Sequence, residues 1–110
     1  MDQNTTAPPD EIFRALADPT RRAVFERLAQ GEATVSDVLL GFAISQSAIS
    51  QHLAVLRRAG LVSERHAGRN VYYRVEPTGL LPLVDWLDRY QTFWHDHLDR
   101  LKTLLKDMDQ

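Results

Sequence analysis

Three short hydrogen-bonding side chains recur at helical spacing near the middle of the chain. Ser47, Ser50 and Gln51 fall on one face of the predicted helix, and the apolar Ile49 and Leu53 fall on the opposite face. Side chains of this size can reach the base edges in a DNA major groove, which is only about 12 Å wide. Their hydroxyl and amide groups can both donate and accept hydrogen bonds there. The pattern therefore predicts a helix that reads DNA.

The same predicted helix, at residues 45–59, carries other groups that suit DNA. Ser45 stands at its first turn, where outward N–H groups can bind a phosphate oxygen, and the Gln46 amide can read an adenine edge. His52 lies between the two faces, and we favour a supporting role in the domain over contact with a base or a phosphate. The DNA-binding residues predicted on this helix are Ser45, Gln46, Ser47, Ser50, Gln51, His52, Arg57 and Arg58.

Positive charge is confined to one segment of a chain whose formal net charge is −2. Residues 45–75 hold five arginines and one acid, whereas the segments on either side each carry a net charge of −3. Such a distribution brings arginines to DNA phosphates and keeps the acidic flanks away, which limits non-specific binding. A basic surface patch without a function is the alternative that charge alone leaves open. The segment adds three arginines to the predicted DNA contacts, namely Arg65, Arg69 and Arg74.

Four short helices and a hairpin are predicted around these residues. Residues 1–9 are polar, contain two prolines and lack an apolar period, which predicts a flexible tail before a single domain at 10–110. Asp18 and a capping box at 34–37 mark two helix starts, and alternating side chains predict a β-hairpin at 62–75. This order predicts a mainly α (α+β) fold, a winged helix-turn-helix whose wing is the two-stranded hairpin.

Apolar residues recur along the C-terminal segment as two neighbouring stripes. Residues 78–107 contain no glycine after Gly79 and no proline after Pro82, which predicts one long helix. One stripe can cover the domain while the other meets a second subunit, so we predict that this helix serves dimerisation. The alternative is a single helix, or two helices with a break near Gln91, packed wholly within a monomer.

Three segments of the chain are distinctive: ALADPTRR at 15–22, SQSAISQHLAVLRRAGLV at 45–62 and GRNVYYRV at 68–75. Together they resemble the ArsR/SmtB family of bacterial transcriptional repressors. The resemblance implies a homodimer built through the first and last helices, which binds an inverted-repeat operator with one recognition helix per half-site. Repression is also favoured by the short chain, which leaves little surface for contacting polymerase. The predicted dimer residues are Phe13, Leu80, Val84, Leu87, Trp94, Leu98, Leu101 and Leu105.

Members of that family commonly release DNA when they bind a metal or another signal. The thiolate site of such members would fall on residues 36–40, but the chain contains no cysteine. The family's other site, on the last helix, is not reproduced by His95, His97 and Asp99. His95 and Asp99 are four residues apart and could hold zinc or nickel across a dimer axis, but such residues usually form a helix's solvated side. We therefore predict no metal or other cofactor, and any effector stays unidentified.

Other classes of function receive little support from the sequence. It has no Gly-rich phosphate loop, nucleophile elbow or paired-carboxylate motif, so we predict that the protein is not an enzyme. It also has no apolar run long enough for a membrane span and no signal-peptide pattern, which predicts a cytoplasmic protein. The main alternative is a winged-helix module that binds another protein instead of DNA. Such a module would expose apolar anchors on the helix that here carries small polar side chains.

Overall fold

The computed structural model describes residues 9–108, which form a body of short helices with a β-hairpin on one side. The strands are β1 (Val62–Ala67) and β2 (Asn70–Val75). A 3₁₀ turn at Pro77–Leu80 precedes the C-terminal helices. The α-helices are α1 (Asp10–Ala17), α2 (Pro19–Ala29), α3 (Val35–Leu39), α4 (Gln46–Arg58), α5 (Leu81–Asp88) and α6 (Gln91–Met108). The predicted mainly α fold with a two-stranded wing is confirmed.

The described residues begin at Pro9, directly before α1. Residues 1–8 of the predicted flexible tail lie outside the described residues, but Pro9, its last residue, is buried. The Pro9 carbonyl oxygen accepts the N–H of Phe13 at 3.0 Å and so makes the first hydrogen bond of α1. Pro9 can take this position because proline lacks the N–H group but keeps its carbonyl group.

Side-chain caps start three of the helices where the sequence predicts them. The Asp18 carboxylate accepts the N–H of Arg21 at 3.0 Å, and Pro19 occupies the first position of α2. At α3 the capping box is complete, because the Thr34 hydroxyl and the Asp37 carboxylate each accept the other residue's N–H. At α4 the Ser45 hydroxyl forms a single cap bond, accepting the N–H group of Ala48 at 3.1 Å. These caps fix the starts of both helices of the helix-turn-helix.

One apolar core holds α4 in place. Ile49, Leu53 and Leu56 lie on its inner face and are fully buried. Burial of each such side chain contributes about 2 kcal/mol to the free energy of folding. The other buried apolar residues are Ile12, Ala15, Val24, Leu28, Ala33, Val38, Leu61 and Val62. Because α1, α2, α3 and β1 all contribute to this core, the outer face of α4 has a fixed orientation.

The wing is an antiparallel hairpin that also pairs, through one residue, with the segment between α2 and α3. β1 and β2 pair from Val62 opposite Val75 to Ala67 opposite Asn70. Ala33, two residues before α3, exchanges both backbone hydrogen bonds with Tyr73 of β2, at 3.0 and 2.8 Å. The base of the wing is thereby fixed to the α2–α3 segment.

Two glycines bring the end of α4 against the segment that leads to α5. Gly60 has a φ of +79°, and the Leu61 N–H reaches back to the Leu56 carbonyl oxygen at 3.0 Å, so α4 ends in a Schellman turn. A Cβ atom on Gly79 would overlap the Gly60 carbonyl oxygen and lie 2.8 Å from its carbonyl carbon. The backbone at Gly79 therefore packs directly on the end of α4, which only glycine allows.

The C-terminal segment is not the single helix predicted at 78–107. It divides at residues 89–90, where the Tyr90 N–H bonds to the Leu87 carbonyl oxygen at 3.0 Å in a tighter turn before α6 begins. The Tyr90 ring packs on the Trp86 ring, with centroids 5.1 Å apart, which supports this turn. The break near Gln91 that the sequence left open is therefore present. No helix within residues 9–108, α6 included, is long and apolar enough to cross a membrane.

Candidate nucleic-acid interface

The outer face of α4 presents the predicted hydrogen-bonding side chains to solvent. Gln46, Ser47, Ser50 and Gln51 are all exposed and project from the first half of the helix. The whole of α4 contains no acidic residue, so nothing on this helix repels a phosphate. Ser45 is exposed as well, although its hydroxyl oxygen is already used as the cap. The structure thus brings the predicted set together on one accessible face.

His52 lies at the edge of this face and faces the helical body. It is half-buried, and its Nδ1 atom lies 3.4 Å from a terminal nitrogen of Arg21. The guanidinium of Arg21 also donates to the carbonyl oxygens of Ala15 and Arg14, at 2.7 and 3.3 Å. Because a guanidinium only donates hydrogen bonds, the contact requires His52 Nδ1 without a proton. This geometry supports the buttressing role that the sequence favours for His52.

Arg21 is a residue of the site that the sequence analysis did not single out. Its guanidinium joins the end of α1 to the middle of α4, and the two helices are not adjacent in sequence. The only signal was its place in the segment at 15–22, since neither charge nor periodicity separates it from Arg22. Arg22 instead donates to the Leu16 carbonyl oxygen at 2.6 Å and remains exposed. Two neighbouring arginines of the same chemistry therefore have different structural roles.

The tip of the wing is a tight turn that projects one arginine. Gly68 has a φ of +62°, a conformation that L side chains rarely adopt, and it allows the chain to reverse between β1 and β2. Arg69 follows it and is exposed. It has no ion-pair partner among residues 9–108. Its guanidinium is therefore available to a minor groove or a phosphate, as the sequence predicts.

Three of the other predicted arginines are engaged with carboxylates. The contact between Arg57 and Glu64 is 3.5 Å long, and that between Arg74 and Glu76 is 3.9 Å long. Arg65 pairs with Glu32, which lies between α2 and α3. By contrast, Arg58 is exposed and lacks such a partner in the described part of the chain. The net charge of the segment therefore overstates the number of arginines that are free to meet a phosphate.

Arg65 makes the closest of these ion pairs. Its Nε atom donates to one carboxylate oxygen of Glu32 at 3.3 Å, and a terminal nitrogen donates to the other oxygen. The Arg65 guanidinium also lies 4.7 Å from the centre of the Tyr72 ring, where a cation–π contact is favourable. The hydrogen bonds from Arg65 hold the pKa of Glu32 below its ordinary value, and the same bonds raise the pKa of Arg65.

Acid should weaken this pair and, with it, the stability of the protein. A carboxyl whose pKa is lowered by folding stabilises the protein above its unfolded pKa, here 4.5, and this contribution is lost as the pH falls through the lowered value. The pKa of Asp18 is also lowered, mainly by the N–H of Arg21. We expect the melting temperature to decrease as the pH drops below about 4.5. The decrease should be less steep in Glu32→Gln, which lacks this carboxyl group. Thermal melts followed by circular dichroism across this range would contradict the assignment if the two proteins gave parallel curves.

Comparison with known proteins agrees with this architecture. A family model described as "Bacterial regulatory protein, arsR family" matches residues 18–64, which run from the α2 cap into β1. The HTH-type transcriptional regulator Rv2034 of Mycobacterium tuberculosis is 46% identical over 81% of this chain and 83% of its own length. The chain belongs to the ArsR family. It is therefore a DNA-binding transcriptional regulator and not an enzyme, as the sequence predicts.

Two further relatives of this ArsR-family chain extend the comparison. The transcriptional repressor SdpR of Bacillus subtilis is 35% identical over 71% of this chain and 87% of its own length. A crystal structure described as a possible transcriptional regulator for arsenical resistance is 45% identical, with a TM-score of 0.66, over 87% of this chain and 94% of that chain. The similarity thus includes the wing and much of the C-terminal segment, beyond the residues that the family model matches.

The C-terminal helices of this ArsR-family regulator expose an apolar surface. Leu98, Leu101 and Leu105 of α6 are each about half exposed, at 48%, 50% and 53%. Phe13 of α1 packs edge-on against Trp86 of α5, with ring centroids 5.3 Å apart, so α1 and α5 adjoin. Six other large apolar residues of α5 and α6 are similarly exposed, namely Leu81, Val84, Leu87, Phe93, Trp94 and Leu104. We call this surface, from Phe13 to Leu105, the C-terminal apolar surface.

Leu80 differs from the other residues predicted for the dimer interface. It is partly buried and packs against the core of its own chain, at the end of the 3₁₀ turn. Its apolar surface is therefore used within one protomer. The sequence could not separate Leu80 from the stripe because the helical period carries through it.

The three residues considered as metal ligands, His95, His97 and Asp99, lie close together in the first half of α6. The Nδ1 atom of His97 lies 3.1 Å from the Phe93 carbonyl oxygen, and the His97 and Phe93 rings stack with centroids 4.0 Å apart. His95 lines a shallow cavity of about 260 Å³ together with Trp94 and other residues of α5 and α6. Within residues 9–108 of a single chain, no three His, Asp or Glu side chains come close enough to hold a metal ion.

Proposed function

We propose that this chain is a homodimeric repressor that acts in the cytoplasm and binds an inverted-repeat operator through residues 45–58 and the wing. One observation carries the proposal, namely the exposed, acid-free polar face of α4 that a buried apolar face orients. Small polar side chains on a rigid helix suit a major groove, because they approach base edges without steric hindrance. The exposed Arg69 at the wing tip adds a contact for the adjacent backbone or minor groove.

The C-terminal apolar surface supports the dimer. A stripe of half-exposed leucines on α6 leaves more apolar surface in water than an isolated monomer usually tolerates. A second copy of the same helix presents a self-complementary surface, as a two-fold interface requires. Two recognition helices related by such an axis match the two halves of an inverted repeat.

Repression is supported by one relative's name. A dimer that covers the operator can block polymerase without contacting it. The relative from Bacillus subtilis is itself named a transcriptional repressor. A reporter driven by the gene's own promoter should therefore show lower expression when the protein is present, and an increase would assign activation instead.

Two substitutions should separate base reading from phosphate binding. We expect Gln51→Ala to reduce operator affinity about tenfold and to relax base preference at one position per half-site, because one amide that reads a base is lost. Arg69→Ala should weaken binding to operator DNA and to random DNA alike. It should also reduce the slope of log affinity against log salt by about 0.9 per lost phosphate contact. Fluorescence anisotropy with the promoter upstream of the gene and with a random duplex measures both.

The same titrations test the proposal as a whole. Equal losses on specific and random DNA for Gln51→Ala would remove Gln51 from the residues that read bases. If the unaltered protein shows no preference for promoter DNA over random DNA, the alternative of a protein-binding module gains support. We expect zinc, nickel or a chelator to leave the affinity unchanged, because we propose that the repressor has no metal cofactor.

A further inference from the structure

We propose that Glu32 determines DNA specificity by holding Arg65 against the helical body, so that this guanidinium does not bind DNA phosphates. The inference rests on the proposed DNA-binding function and assigns a role to a residue outside the recognition helix and the wing. It also makes Glu32 a positioning residue and removes Arg65 from the DNA contacts predicted from charge alone.

The position of Glu32 in the chain makes this role feasible. It precedes Ala33, whose backbone pairs with Tyr73 of β2, so the carboxylate is fixed beside the base of the wing. Arg65 lies in the middle of β1, opposite Tyr72. The pair therefore joins the α2–α3 segment to the wing through side chains, beside the backbone contact that already joins them.

The contacts of Arg65 use the guanidinium more fully than those of the other paired arginines. Two of its nitrogens donate to the two oxygens of Glu32, in the forked geometry that a phosphate would also offer. The Tyr72 ring lies over the same guanidinium. Arg57 and Arg74 instead meet their acids through single, longer contacts of 3.5 and 3.9 Å. Arg65 is thus the wing arginine that is most completely occupied within the protein.

Solvent access makes Glu32 a competitor of DNA. The side chains of Arg65 and Glu32 retain 45% and 36% of their exposure, so a phosphate could reach the guanidinium if the carboxylate released it. A free arginine at this point would bind any DNA sequence, because phosphates carry no sequence information. Neutralising Arg65 within the protein therefore lowers random binding and leaves Arg69 at the wing tip for DNA.

The test is a set of four variants in DNA titrations across a salt series. Glu32→Gln removes the charge at nearly constant shape. Glu26→Gln is the matched control, because Glu26 is exposed on α2 and has no ion-pair partner in the described residues. Two further variants, Arg65→Gln alone and Arg65→Gln combined with Glu32→Gln, show whether the effect of Glu32→Gln on DNA binding depends on Arg65. Circular dichroism melts check that each variant is folded at the assay temperature.

We expect Glu32→Gln to bind random duplex about five- to tenfold more tightly at 0.1 M salt and to steepen the salt slope by about 0.9, which corresponds to one added phosphate contact. The ratio of promoter to random affinity should fall. Neither change should occur in Glu26→Gln or in the double variant. Arg65→Gln alone should leave the salt slope unchanged.

Different results would overturn the proposal without affecting the proposed function. A smaller salt slope in Arg65→Gln would show that Arg65 already binds a phosphate in the unaltered protein. If Glu32→Gln and Glu26→Gln show equal affinities and salt slopes, the Glu32–Arg65 ion pair has only a structural role. By contrast, failure of the unaltered protein to prefer promoter DNA would reject the proposed function itself.

Discussion

Replacing Leu98 with glutamate is expected to convert the proposed dimer into a monomer and to lower operator affinity on the order of 100-fold. Leu98 is 48% exposed on α6 and lies near the centre of the C-terminal apolar surface. A carboxylate there would be buried without a partner in each half of a two-fold interface, which is strongly unfavourable. Two linked recognition helices gain about two or more orders of magnitude in affinity from binding as one unit, and the monomer loses this gain.

Light scattering and promoter titrations on the same sample measure both effects. Thr103→Glu is the matched control, because it adds the same charge to the exposed opposite side of α6. It should remain a dimer with nearly unchanged affinity. A dimeric Leu98→Glu protein would place the interface elsewhere. A monomer that binds the operator as tightly as the unaltered protein would contradict the need for two copies.

Adding a methyl group at Gly79 should have the largest effect on stability. The Cβ atom of alanine would overlap the Gly60 carbonyl oxygen, and its other close neighbours, Gly60 C and Leu61 Cα, are also backbone atoms that cannot rotate away. The 3₁₀ turn would have to move off the end of α4. We expect a loss of about 3 kcal/mol in the free energy of unfolding and a fall in the melting temperature of roughly 10 °C or more.

Gly41→Ala provides the control for the substitution at Gly79. A Cβ atom at Gly41 would meet only the Val38 carbonyl oxygen at 3.8 Å, an ordinary contact, and its φ is not positive. Its melting temperature should stay the same or rise slightly, because alanine restricts the unfolded chain. Denaturation of both variants followed by circular dichroism gives the comparison. Similar melting temperatures for the two would mean that the segment at Gly79 can shift without cost.

The elements that depend on local chemistry were predictable from the sequence. The Ser45 cap, the capping box at 34–37 and the wing turn at Gly68 each involve residues a few positions apart, so their spacing identifies them. The buried and exposed faces of α4 also follow from its period, because one apolar face must meet the core. The exposed polar face of α4 was therefore predicted residue by residue.

The remaining features depend on partners that are distant in sequence. Arg65 and Glu32 are 33 positions apart, so the charge of the segment alone led to the prediction that Arg65 contacts DNA. The contact of Arg21 with His52 and the approach of Gly79 to Gly60 likewise form only when helices pack. The division before α6 is local, but the sequence could only leave it open near Gln91, because no proline or glycine marks it and the apolar period continues on both sides. A one-dimensional pattern carries no information about such contacts.

In the proposed dimer, pairing through the exposed leucines of α6 would make the response of the protein depend on its own concentration. While dimers are scarce, their number follows the square of the chain concentration by mass action. Halving the supply of chains would then lower the number of dimers about fourfold, and operator occupancy with it while most operators are free. A gene under such control could be switched by dilution during growth or by proteolysis, and the self-association constant of the proposed dimer would set the threshold.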